Sequence, residues 1–86
     1  MTVRITDLPF VESKPGVATK LWVVEATGEW ADDNATGRAH ATALITYMQI
    51  AGSPGALGQV CRALGQSGQW TGIEVGFFQA LAEAAV

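Results

Sequence analysis

The spacing of apolar positions along the chain changes once, near residue 30. Before that point, Thr2–Thr6 alternates weakly, with Val3 and Ile5 on one side and Arg4 on the other. Lys20–Thr27 carries Leu21, Trp22, Val23 and Val24, aromatic and branched side chains that suit a pleated surface. These segments predict strands over 2–6 and 20–27. Between them, Pro9, Pro15 and Gly16 predict a loop or an open hairpin connection. Lys14-Pro15-Gly16-Val17 has proline second and glycine third, the type II turn pattern.

After residue 30 the spacing is three and four. Trp30, Asn34, Gly37, Ala41, Leu44, Ile45 and Met48 line one face of a helix predicted over 30–50. The first half of that face is small, so a strand or hairpin is expected close over Gly37 and Ala41. Glu29, Asp32 and Asp33 stand where the helix dipole favours negative charge, and Gly52 is a natural stop. Ser53-Pro54 reads as an N-cap followed by proline in the first turn of a helix over 54–65. Its apolar face is Leu57, Val60, Cys61 and Leu64, and Gly65–Gly68 ends it. Thr71-Gly72-Ile73-Glu74 has the form of a capping box and opens a helix over 72–85. Ile73, Phe77, Ala80, Leu81 and Ala84 make its main apolar face, while Val75, Phe78, Ala82 and Ala85 extend apolar character to other sides. The expected fold is α+β: one domain over 1–86, with an N-terminal two-stranded β-hairpin or short sheet packed on three α-helices.

Composition sharpens this reading at the C-terminal helix. Only 15% of the 86 residues are charged, against about 25% in ordinary globular chains. From Ala41 to Val86 the charged residues are Arg62, Glu74 and Glu83. A helix apolar on every side is normally buried, and a chain this short surrounds one with difficulty. A self-complementary interface through Val75, Phe78 and Ala82 resolves the conflict, so a homodimer is expected.

Charge and chemistry narrow the function classes. The net charge is −3, and the five basic residues, Arg4, Lys14, Lys20, Arg38 and Arg62, are scattered along the chain. Phosphate backbones and anionic membranes require clustered Lys and Arg, so neither direct nucleic-acid binding nor membrane binding is expected. No apolar run approaches the roughly 20 residues of a membrane span, and no leader is expected ahead of the domain. With a single cysteine, Cys61, a cytoplasmic location is expected.

His40 and Cys61 are too few for a zinc site, and Cys61 reads as a small core residue. No nucleophile-elbow motif frames Ser13, Ser53 or Ser67 for His40. Gly52–Gly58 lacks the Gly-Lys-Ser/Thr ending of a phosphate loop and reads as a turn between helices. No catalytic residue, metal or cofactor is therefore expected. What remains is binding. Two of Trp22, Trp30 and Trp70 are assigned to the core, leaving Trp30 or Trp70 as an interface anchor. Glu25, Glu29, Asp32 and Asp33 fall within nine residues with no Lys or Arg among them. With Trp30 they form an expected contact surface for a partner with a basic groove.

Trp22-Val23-Val24, Thr27-Gly28-Glu29-Trp30, Gly37-Arg38 and Glu74-Val75-Gly76-Phe77-Phe78 carry a likeness over about residues 20–80. On these the chain resembles small uncharacterised proteins of proteobacteria and their phages. In size, acidity and lack of enzyme motifs it is similar to anti-CRISPR proteins, a group without a shared signature. The resemblance implies a phage-encoded, non-enzymatic inhibitor that sterically blocks a host protein such as a CRISPR effector. The alternative expectation is a homo-oligomeric structural or adaptor protein of bacterial or phage origin.

Overall fold

The computed structural model describes residues 3–86 and is a helical, bundle-like fold. A single 3-10 turn at Ile5–Asp7 is followed by α1 (Trp30–Ala51), α2 (Gly55–Ser67) and α3 (Gly72–Ala85). The expected α+β class is overturned, because the described residues contain no β-strand. They hold one isolated antiparallel bridge, between Glu12 and Lys20.

Two local facts explain the missing hairpin. The Glu12 and Lys20 amides and carbonyls exchange both bonds at 2.9 Å, but the next rung slips. The Val23 amide, not that of Trp22, donates to the Phe10 carbonyl at 2.8 Å. A regular ladder advances two residues on each strand, so one extra residue ends the pairing. Further upstream, the Asp7 carboxylate accepts from the Arg4 amide at 3.1 Å and the Asp7 amide donates to the Arg4 carbonyl. Those bonds wind the segment expected as strand 2–6 into a turn, and Pro9 has no amide to extend a ladder. Thr2, at the start of that expected strand, lies outside the described residues.

The helix ends follow local chemistry. Gly52 and Gly68 take the left-handed conformation, φ 61° and 70°, and stop α1 and α2. Ser53 makes no side-chain capping bond, contrary to expectation. The first turn of α2 is instead closed by backbone bonds from Ala56 to Ser53 and from Leu57 to Pro54.

Helices α1 and α3 run side by side in the same direction. Asn34 Nδ2 donates to Gln79 at 2.9 Å, and one turn on, Arg38 makes a two-pronged ion pair with Glu83. Their backbones touch. A β-carbon at Gly37 would lie 1.9 Å from the Ile73 carbonyl oxygen, and one at Gly76 would lie 2.2 Å from that of Asn34. Small residues at such a seam permit close approach. The neighbour over Gly37 is therefore a helix, not the expected strand.

The N-terminal segment supplies the rest of the core. Leu8, Phe10 and Trp22 are buried with Ala41 and Leu44 of α1, Ala56, Val60 and Leu64 of α2, and Ile73 and Phe77 of α3. Trp22 lies 4.9 Å from Phe77 and 5.2 Å from Phe10 between ring centroids. The molecule measures 34 × 34 × 20 Å. Its thin dimension is about two helix diameters.

Candidate functional site

Helices α1 and α3 begin at the same end of the molecule, because they are parallel and Gly72 packs against Trp30 and Asp33. Two positive dipole ends thus lie together. A buried carboxylate serves each of them.

At α3, the expected capping box is formed. The Thr71 hydroxyl accepts from the Ile73 amide at 3.2 Å. Glu74 Oε1 accepts from the Thr71 amide at 2.6 Å and the Thr71 hydroxyl at 2.5 Å. Its other oxygen accepts from the Trp22 indole N–H at 3.0 Å. Burial pushes the Glu74 carboxyl up, but these donors outweigh it and hold the group below its ordinary value. The carboxylate therefore ties the N-terminal segment to the start of α3.

At α1, Asp33 does the corresponding work from inside the helix. Its Oδ1 accepts from the Thr27 amide at 2.9 Å and the Thr27 hydroxyl at 2.8 Å, and Oδ2 accepts from the Gly28 amide at 3.1 Å. The Thr27 amide bond is the largest influence holding the carboxyl below its ordinary value. Asp33 is only 3% exposed. It does not belong to the acidic surface on which the sequence placed it.

The other expected contact residues do reach the surface. Glu25, Glu29 and Asp32 are exposed. Trp30 is 59% exposed, with its ring edge seated over Gly72, where a β-carbon would lie 3.3 Å from Cε3. Trp70 is 63% exposed and stacks on Phe78 at 5.6 Å. One tryptophan, Trp22, is therefore in the core and two are on the surface, where the sequence placed two inside. The residues expected at a dimer interface lie along the outer side of α3: Val75 and Phe78 are half-buried and Ala82 is exposed.

The two strongest ligand-type side chains lie elsewhere. His40 packs against Phe10 at 5.1 Å and Trp22 at 6.0 Å, and burial pulls its pKa below the ordinary value, so it is neutral at pH 7. Burial pushes the Cys61 thiol up, away from the reactive thiolate. Among the described residues no three His, Cys, Asp or Glu side chains converge as a metal site, and no helix is long and apolar enough to cross a membrane. Comparison with family models, curated proteins and solved structures finds no match to the chain.

Proposed function

We propose that the protein is a non-enzymatic binding domain whose α1 start docks a basic segment of another protein. One observation carries this reading: Trp30 presents 59% of its surface to solvent between exposed Glu29 and Asp32. An indole face attracts guanidinium and ammonium groups, worth about 0.5–2 kcal/mol according to desolvation. Carboxylates beside it add charge complementarity, which governs encounter and specificity. Exposed Glu25, on the chain leading into this turn, extends the acidic surface. Asp33 and Gly72 hold the turn and the ring in place, so little ordering accompanies docking. The buried carboxylates Asp33 and Glu74 are fully engaged in structural bonds, which favours binding over acid–base catalysis. Such a domain inhibits by covering the basic segment of its partner, and a reducing cytoplasm suits its free thiol.

Fluorescence anisotropy with a labelled arginine-rich peptide tests the assignment. Trp30→Ala and the pair Glu29→Lys with Asp32→Lys should each weaken binding roughly tenfold or more, with circular dichroism unchanged. Unaltered affinity in both variants would remove the role given to this surface.

A second reading, a homodimer through α3, is favoured by a separate observation. Trp70 stacks on Phe78 beside Val75, forming an apolar strip that continues to exposed Ala82 and Val86. Sedimentation at high micromolar concentration should give a dimer that Phe78→Asp dissociates. A strict monomer rules it out.

A further inference from the structure

Helix α2 and the irregular chain over 19–22 leave a groove of about 500 Å³ between them. Lys20 stands on one wall. Arg62 stands on the other, flanked by Gln59 and Gln66 at helical spacings of three and four. Leu21 and Ala63, both half-buried, contribute apolar surface. The volume lies within the range of sites for small organic ligands, roughly 300–1,000 Å³.

The charge distribution sets this groove apart. Of the five basic residues, Lys14 pairs with Glu12 at 3.2 Å and Arg38 with Glu83 at 2.9 Å. Arg4, Lys20 and Arg62 make no ion pair among the described residues, and of these Lys20 and Arg62 line the groove together. No carboxylate lines it. Glu12, opposite Lys20 across the bridge, has its carboxylate engaged by Lys14, and the buried Glu74 carboxylate is engaged by Trp22 and Thr71. Two cations and two amides thus meet without a counter-charge in a protein whose net charge is −3.

We propose that this groove binds a small organic anion, a phosphate or carboxylate carried on an apolar body. Arg62 and Lys20 hold the anionic head, since charge-assisted bonds from a guanidinium are directional and strong. Leu21 and Ala63 receive the body. A polyanion such as nucleic acid does not fit, because two cations neutralise few phosphates and the remaining surface is acidic. The site is separate from the α1 start in residues and in sign of charge, and it stands or falls without the reading given above.

Amide chemical-shift titration tests it with three probes: phenyl phosphate, benzoate and neutral benzyl alcohol. Phenyl phosphate or benzoate should shift the amides of residues 19–22 and 59–67 saturably and bind roughly tenfold more tightly than benzyl alcohol. The tighter of the two anions assigns the head group. Arg62→Gln and Lys20→Gln, both at exposed positions, should each weaken that binding several-fold, while Arg38→Gln, whose partner is Glu83 outside the groove, should not. Absence of saturable shifts in the millimolar range overturns the proposal. So does equal binding of benzyl alcohol, or indifference to both substitutions.

Discussion

Gly37 and Gly76 lie where α1 and α3 meet backbone to backbone, whereas Gly55, Gly58 and Gly65 of α2 face open space. At the first pair, the missing side chain is the contact itself, because the atoms a β-carbon would strike are carbonyls and amides that cannot rotate away. In α2 the same residue contributes no packing and only weakens the helix through its entropy. Glycine content therefore says little about how a helix is held. The neighbouring backbone decides it.

The largest expected effect follows at the seam. Gly37→Ala places a β-carbon against backbone and forces α1 and α3 apart. Overpacking costs about 1–3 kcal/mol even where side chains can adjust, so a loss of about 3 kcal/mol in urea unfolding is expected, and Gly76→Ala should behave alike. A near-neutral result would break the comparison. Next comes Glu74→Ala, which removes a cap and leaves the buried Trp22 indole without its acceptor. A loss of about 2–3 kcal/mol in thermal unfolding is expected.

The carboxylates add a pH signature. Asp33 and Glu74 are held below their ordinary values of 3.8 and 4.5. The unfolded chain therefore takes up protons before the native state does. Their contribution is whole above the ordinary values and is lost as pH falls through the folded ones. Glu74→Gln should flatten that acid loss in melts recorded over the same range.

On the α2 side the sign reverses. Gly58→Ala should stabilise the protein by about 0.5–1 kcal/mol, since the site is open and helical. The smallest effect belongs to the exposed rim of the seam. A double-mutant cycle on Arg38 and Glu83 should give little coupling, and less still in high salt. A large coupling would mean that the ion pair, not the glycines, joins the helices.

The buried line of α1 shows how a correct period still leaves the face uncertain. Asp33, Gly37, Ala41 and Leu44 are buried, while Trp30, which begins the same periodic series in the sequence, is exposed. The series was readable from spacing. Its rotation at the first turn was not, because Asp33 turns inward only when the Thr27 and Gly28 amides are placed to receive it. Phe10 was hidden for a different reason. It sits in an irregular segment with no period to mark it, yet it packs between Trp22, His40 and Phe77. The groove of Lys20 and Arg62 joins residues with no sequence relation, and no local signal pairs them.

By itself, the sequence determined the presence and order of the three helices, the start of α3 and the stops of α1 and α2, though not how α2 begins, because the Thr71–Glu74 box, Gly52, Gly68 and the three-to-four spacing act within one or two turns of chain. It also displayed the acidic run that enters α1, though not which of its members would remain in water. Only the tertiary structure decided that Lys20–Thr27 stays irregular with a single rung, that Asp33 is internal, and that Trp30 and Trp70 are exposed. Those outcomes rest on partners distant in the chain, as with Trp22 and Glu74, separated by 52 residues. A strand needs a neighbour in register and a buried carboxylate needs its donors, and neither requirement is written in the segment that carries it.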